Sequence, residues 1–401
     1  MIQAFSALAA GGAIVCAQYI GQGNKERANE SARQVLFIIT LISVAVSAFC
    51  LIFQKPLLHL IFGAVEADVM RASEIYFFYT ALSFPFIAAY DAAASIFRAQ
   101  ENTRDPMLIS MVSNVMNIVG NAIMIWGFHM GVAGAALATL ISRIFCAVVV
   151  LAELRLDRQP IVVRDYLKIR PDWRMIRRIL GIGIPSGVEN SMFQLGKLAI
   201  QSTVSTLGTT AIAAQAMTNI LENLNGIGGI GVGIGLMTIV GQCLGADRKD
   251  EAVYYIKKLC VIAEIVMAAS CVIVFALTKP ITILGGMEPE SAKMCFHMVM
   301  WITIVKPLAW IMSFIPAYGM RAAGDAKFSM ITSCCTMWAC RFCLCVFLIR
   351  VMGFGPMGVW IGMFADWTVR SIIFTWRFHS RKWLEHKVCL LYTSDAADDM
   401  Q

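Results

Sequence analysis

Apolar residues run in blocks of roughly twenty, separated by short polar connections, and the blocks recur along the whole 401-residue chain. Eleven such stretches are present, at roughly 2–21, 34–53, 72–97, 107–128, 131–153, 178–206, 211–244, 257–277, 294–320, 328–352 and 355–376. At about 1.5 Å per residue each is long enough for a bilayer core of about 30 Å. The bilayer core offers no water to unpaired backbone groups, so each stretch is predicted to be a helix. The pattern predicts an all-α integral membrane protein.

The second half of this pattern repeats the first. Gln18-x-x-Gly21-x-x-x-Lys25-Glu26-x-Ala28 recurs as Gln242-x-x-Gly245-x-x-x-Lys249-Asp250-x-Ala252, 224 residues further on. Lys55-Pro56 recurs as Lys279-Pro280, and Gly131-x-x-Gly134 as Gly355-x-x-Gly358. Pro85 pairs with Pro307, and Arg98-Ala99 with Arg321-Ala322. The offset takes in six spans, an even number, so the halves share one orientation as parallel repeats, an arrangement typical of transporters. Residues 1–153 are expected to form the first lobe, 154–177 a polar, basic cytoplasmic linker, and 178–387 the second lobe. The repeat offset implies a further helix ahead of Met1. The apolar start has no basic region of the kind a signal peptide carries and runs into the repeated motif. At the other end the acidic CLLYTSDAADDMQ follows a basic tail and resembles translated adaptor sequence, so 388–401 is expected to be non-native.

Composition agrees with the pattern. With 58% hydrophobic and 15% charged residues and a mean hydropathy of +0.70, the chain lies outside the soluble range. Twenty-three Lys and Arg fall in alternate connections and the C-terminal tail, against five (Lys55, Arg71, Lys279, Lys293, Arg350) in the others. The positive-inside rule makes the first set, and the C-terminus, cytoplasmic. Topology accounts for the net charge of +7 without a nucleic-acid partner. The thirteen cysteines lie mostly inside apolar spans, where Cys acts as a small hydrophobe. Cys334, Cys335, Cys340, Cys343 and Cys345 contain a C-x-x-C, but a zinc site wants a closed tetrahedral set, usually in a soluble knuckle with His nearby, so no metal is expected. Gly226-x-Gly228-Gly229-x-Gly231 has the form of a dinucleotide fingerprint. It sits in an apolar span with no preceding strand, so helix packing or a hinge explains it better.

GGAIVCAQYIGQGNKERAN, repeated as GLMTIVGQCLGADRKDEAV, resembles the helix-to-loop signature of multidrug and toxic compound extrusion (MATE) transporters. FRAQENTRDPM resembles that family's R-G-x-G-D-T-K/R-x-P turn, with departures at its Gly and Asp positions, and GVAGAALATLISR and GPMGVWIGMFADWTVRSII resemble its sixth and twelfth helices. The resemblance covers about residues 1–387. It implies two pseudo-symmetric six-helix lobes, the twelve-helix MATE architecture with its first helix missing and eleven spans present. It also implies a V-shaped cavity, and export of cationic or amphipathic drugs in exchange for Na⁺ or H⁺ by alternating access. A multi-pass, monomeric protein of the plasma (inner) membrane, with no cofactor besides the coupling ion, is expected.

Charges at bilayer depth cost about 2.5–3.5 kcal/mol on insertion scales, so each requires an account. Glu189 lies about ten residues into its apolar stretch, near mid-depth at 1.5 Å per residue. Beside it Asn190, Gln194, Lys197 and Gln201 form a polar stripe on one helix face. Either the stripe is a helix–helix hydrogen-bond seam, or it walls a cavity with Glu189 as the cation- or proton-coupling carboxylate. Asp366 is also near mid-depth with Arg370 one turn on, as an internal ion pair or a second coupling acid. Lys306 and Arg341 are candidates to neutralise Glu189 and Asp366. Asn114, Asn117 and Asn121 line one face in the first lobe, as a cavity wall or a packing network. Glu222 and Asp91 are weaker candidates. Ser142 is the repeat counterpart of Asp366, and Asn117 that of Arg341.

Two other functions compete. A lipid-linked oligosaccharide flippase of the same superfamily would use cations such as Lys197, Lys306 and Arg341 for a pyrophosphate. An integral-membrane enzyme would need clustered His, Ser or acids at a membrane face, but the five His (59, 129, 297, 379, 386) are scattered. No Walker A sequence is present, which disfavours ATP-driven export.

Overall fold

The repeated motifs close their helices with the same turn. In the first, Gly23 N–H donates to Ile20 O at 2.9 Å and Asn24 N–H to Tyr19 O at 3.1 Å; 224 residues on, Asp247 donates to Leu244 O at 3.1 Å and Arg248 to Cys243 O at 2.8 Å. This pairing of i→i−3 and i→i−5 bonds is the Schellman ending, which requires a left-handed residue at its hinge. That residue is Gly23 (φ 72°) in one repeat and Asp247 (φ 58°) in the other. The turn recurs after the next repeated pair: Glu101 donates to Arg98 O and Asn102 to Phe97 O, as Gly324 donates to Arg321 O and Asp325 to Met320 O. There the left-handed position holds Glu101 (φ 66°) in the first half and Gly324 (φ 96°) in the second.

The protein, as a computed structural model, is described over residues 2–63, 66–156, 159–164, 166, 170–386 and 388–389. Its helices are α1 Ile2–Gly21, α2 Lys25–Ile52, α3 Gln54–Phe62, α4 Ala67–Leu82, α5 Phe84–Ala99, α6 Arg104–Ala122, α7 Gly131–Glu153 and α8 Trp173–Val204. They continue as α9 Thr209–Gly245, α10 Lys249–Leu284, α11 Pro289–Ala322, α12 Ala326–Thr336, α13 Leu344–Arg350 and α14 Met357–His379. π-helical stretches, Ile123–Gly127 and Met337–Cys343, extend α6 and join α12 to α13. Among the described residues there is no strand.

Among the described residues eight helical spans are long and apolar enough to cross a membrane, nine if α4 and α5, bent by 40° at Ser83, count as one. The sequence pattern counts eleven; α8 and α14, with 32 and 23 residues, have the length but too polar a sequence to qualify on composition. Proline acts differently in the two halves. The chain breaks at Phe53 ahead of Pro56 and at Ser83 ahead of Pro85, whereas α10 runs on through Pro280 and α11 through Pro307.

By packing, the chain divides into two units, Met1–Gly187 and Val188–Gln401. The division falls inside α8, while the polar pattern places a linker at 154–177. Within the first unit α1 packs on α5 and α2, and α7 on α4, α5 and α6. The connection before α8 is tied to the same unit, with Val162 N–H bonded to Asn29, Ile161 N–H to Gln100 and Asp172 N–H to Gln34. Within the second unit α9, α10 and α11 pack mutually, and α14 lies against α11 and α13. Its core includes Met267, Met320, Trp360, Trp367 and Phe374. Val388, the first residue of the segment expected to be non-native, packs against Gly324; residues 390–401 lie outside the described residues.

Small residues allow a close helix contact in the first unit, the usual means of bringing helices together in lipid. A Cβ on Gly11 of α1 would meet the backbone nitrogen of Gly183 in α8 at 2.7 Å, whereas one on Gly231 of α9 would meet nothing. Alanine is intrinsically better than glycine in a helix by about 1 kcal/mol, so the two sites separate propensity from packing. Gly11→Ala is expected to cost about 1–3 kcal/mol through overpacking and to lower the melting temperature, with Gly231→Ala neutral or stabilising. Thermal-shift measurements in detergent check this; equal effects at both sites would contradict the contact.

Candidate functional site

Topology assigns twenty-eight of the 33 Lys and Arg to connections or the tail, leaving Arg143, Lys197, Lys306, Arg341 and Arg370 at membrane depth. Four of these lie in the second unit, three of them around a cavity of about 520 Å³. Its walls come from α8 (Phe193, Gln194, Lys197, Gln201), α9 (Gln215, Asn219, Glu222), α11 (Lys306, Trp310, Phe314), the π-helical stretch (Arg341) and α14 (Met363, Trp367).

Lys306 is at the centre of α11 and is fully buried. Its Nζ donates to Glu222 Oε1 at 2.5 Å, to the Glu222 carbonyl at 2.9 Å and to Asn225 Oδ1 at 2.5 Å. Three acceptors use all three protons of an ammonium. Gly226 makes room for it: a Cβ there would lie 3.3 Å from Nζ. Within the same fingerprint-like run, Gly229 gives space to Met267 and Trp310. The run therefore serves helix packing and the placement of Lys306.

Glu189 is also buried, but its partner is neither Lys306 nor Arg341. Arg321 Nη2 donates to Oε1 at 2.8 Å and Ser329 Oγ to Oε2 at 3.3 Å. Arg321 is the penultimate residue of α11, so Glu189 is level with that helix's last turn rather than with its middle. Along its own helix Glu189 is central, the seventeenth of the 32 residues of α8. Of the polar stripe, Gln194, Lys197 and Gln201 line the cavity; Asn190 is half-buried and, like Glu189, is not among the lining residues.

Asp366 and Arg370 face each other inside the second unit, with Arg370 Nη2 3.9 Å from Asp366 Oδ1. Both are essentially unexposed. Neither carboxylate oxygen accepts a hydrogen bond, and Arg370 Nε and Nη2 donate none. Arg370 lies 4.8 Å from the Phe314 ring centre and 5.2 Å from that of Phe193. Arg341 shares the Phe193 ring, at 5.3 Å, and its buried Nε has no partner. It sits within the π-helical stretch, an irregularity frequent at functional positions.

In the first unit the asparagine face divides. Asn117 Nδ2 donates to Thr139 Oγ1 at 3.2 Å and Ser142 Oγ at 3.4 Å, and Asn121 Nδ2 to Asn117 Oδ1 at 3.2 Å. Asn117 and Asn121 thus contribute to an α6–α7 seam, while Asn114 is exposed. Asp91 accepts from Ser6 at 2.5 Å.

Reasoning from sequence missed Arg321, which the positive-inside count places in a connection, and Asn225. The second had a readable signal: it follows Glu222 by three residues on α9 and so shares its face. The cysteines are all free thiols, and no group of three metal-ligating side chains comes together among the described residues.

The MatE family model matches residues 1–123 and 185–347. The uncharacterized transporter YisQ of Bacillus subtilis is 27% identical over 391 residues, covering 96% of this chain and 85% of its own. A probable multidrug resistance protein NorM of Thermotoga maritima is 25% identical over 385 residues, covering 94% and 81%. Among solved structures, an outward-facing multidrug resistance MATE family transporter of the MOP superfamily superposes with a TM-score of 0.87 at 19% identity. It covers 95% of this chain and 86% of that one.

The Glu189–Arg321 pair generates a stability prediction. Removing one member of a buried ion pair costs about 3–5 kcal/mol, because the other charge is stranded, whereas removing both is often nearly neutral. Glu189→Gln and Arg321→Met are each expected to lower the melting temperature, and the double variant to recover most of the loss. Additive losses would mean that the two residues do not act as a pair.

Proposed function

The chain belongs to the MatE family of multi-pass membrane transporters, and from that premise we propose that it is a secondary active antiporter. It exports cationic or amphipathic organic compounds in exchange for Na⁺ or H⁺ by alternating access. The observation that carries this reading is the concentration of charged side chains around one membrane-depth cavity in the second unit. Charges in such positions are costly to insert and mark substrate and ion pathways.

Coupling requires a carboxylate whose ion occupancy differs between conformations, since an ion biases a cycle only through differential binding. Asp366 fits best. Among the described residues Arg370 at 3.9 Å is its sole charged contact within ion-pair range, and none of them donates it a hydrogen bond. A cation or proton reaching Asp366 therefore competes with one distant guanidinium. Glu189 is the second choice, because an ion must displace both Arg321 and Ser329 from it. For cargo the balance tips toward amphipathic compounds. Glu222 is the one acid among the lining residues, and Lys306 already holds it. The MatE match removes the reason for preferring a flippase. We read the functional unit as a monomer in the plasma membrane with a cytoplasmic C-terminus and no cofactor besides the coupling ion.

The test is dye efflux from proteoliposomes of the purified chain under separate Na⁺ and pH gradients. One gradient is expected to drive efflux, Asp366→Asn to reduce it at least about tenfold, equivalent to 1.4 kcal/mol, and Asp366→Glu to restore part of it. Undiminished efflux by a folded Asp366→Asn protein would move coupling to Glu189, with Glu189→Gln the next variant.

A further inference from the structure

We propose that the cavity of the second unit is a binding site for an amphipathic organic oxyanion, an aromatic body carrying a carboxylate, with Lys197 and Arg341 as its counter-charges. The proposal rests on the exporter reading only for the ligand's passage; binding at the site stands apart from it.

The charge balance of the walls comes first. Lys197, Lys306 and Arg341 are the lining cations and Glu222 the lining anion. Lys306 and Glu222 close on each other at 2.5 Å. Behind the wall Asp366 and Arg370 form a second neutral pair. Two positive charges remain. Lys197 makes no hydrogen bond or ion pair among the described residues; Arg341 and Glu222 both lie within its electrostatic reach, and Glu222 is already held by Lys306. Arg341 is 6% exposed and its Nε is unpartnered. A buried cation is costly unless paired; Asp366 and Glu222 act on Arg341 from a distance, but among the described residues no group accepts a hydrogen bond from its Nε.

Shape and lining define the remainder of the ligand. The cavity volume, about 520 Å³, lies in the range of sites for drug-sized molecules. Phe193, Trp310, Phe314 and Trp367 offer aromatic faces, and Gln194 and Gln201 offer amide donors on the same helix as Lys197. Arginine suits a carboxylate because its planar donor fork engages both oxygens. A purely cationic ligand would find no free acid here and two unneutralised cations against it. A zwitterion fits if its carboxylate enters toward Lys197 and Arg341.

The experiment measures fluorescence binding of a matched probe pair, pyrenebutyrate and its methyl ester, to the full chain in phosphatidylcholine nanodiscs. The carboxylate is expected to bind at least about tenfold more tightly than the ester, since a charged hydrogen-bonded pair is worth about that factor. Lys197→Gln and Arg341→Gln should each remove most of the difference without weakening the ester, while Lys197→Arg keeps it. Should Arg341→Gln fail to fold, Lys197→Gln at its accessible position decides alone. Equal affinity of acid and ester, or equal weakening of both by Lys197→Gln, would overturn the proposal. Displacement of pyrenebutyrate by phosphatidylglycerol in the disc would assign the cations to a lipid headgroup and overturn it as well. A wild-type chain that binds the acid selectively but exports no substrate would refute the exporter reading and leave this site standing.

Discussion

An ammonium group in the middle of a membrane-spanning helix has to find acceptors for three protons in a medium that supplies none, and the second unit is arranged around meeting that demand for Lys306. Two oxygens come from Glu222 and one from Asn225, so α9 has to present a carboxylate, a main-chain carbonyl and an amide to one point on α11. Gly226 leaves the amine room, since a Cβ there would lie 3.3 Å from Nζ. Trp310 and Trp367 flank the amine, their ring centres 5.7 Å and 6.0 Å away, giving a favourable field on the side away from the oxygens. With Glu222 consumed in this way, the cavity above is left with cations as its unbalanced charge.

The repeat separates what the fold requires from what this unit adds. Asn117 and Ser142 meet across α6 and α7 through a neutral hydrogen bond of 3.4 Å. Their counterparts 224 residues on are Arg341 and Asp366, again on neighbouring segments. A Cβ on Gly362 of α14 would touch the Arg341 carbonyl at 3.0 Å. One backbone arrangement thus carries amide and hydroxyl in one unit and guanidinium and carboxylate in the other. Packing is satisfied by neutral residues at these positions, so the two charges are there for something other than the fold. The π-helical stretches diverge too: Arg341 sits within one, while Asn117 lies in regular helix six residues before the other.

Much of the fold was legible because lipid enforces it. Apolar length makes helices, and Gly21 and Gly245 each end one at the same point of the repeat, so the positions of α1, α2, α9 and α10 follow from the text of the chain. Boundaries governed by polar residues were not legible. α8 extends five residues back into a charged connection, and Glu189 lies beside Arg321, a residue that charge counting places in a loop. Glu101 in a left-handed turn was hidden as well, because Gly324 marks that position only in the second half. At the site, the identity of the embedded charges was readable from hydropathy alone. Their pairing was not, since contact between α9 and α11 is set by residues such as Gly226 whose role appears only once the helices are packed.

The central claim is that the protein closes off Lys306 and leaves Lys197 open to a ligand. Reductive methylation of the folded chain in nanodiscs, read lysine by lysine by peptide mass spectrometry, tests it directly. Small aldehyde and hydride reagents reach the cavity, and an amine whose three protons are all engaged reacts slowly. The account predicts rapid modification of Lys197, slowed when pyrenebutyrate is present, and little modification of Lys306 under either condition. Lys306 reacting as fast as Lys197, or Lys197 reacting at the same rate with and without the carboxylate, would contradict it.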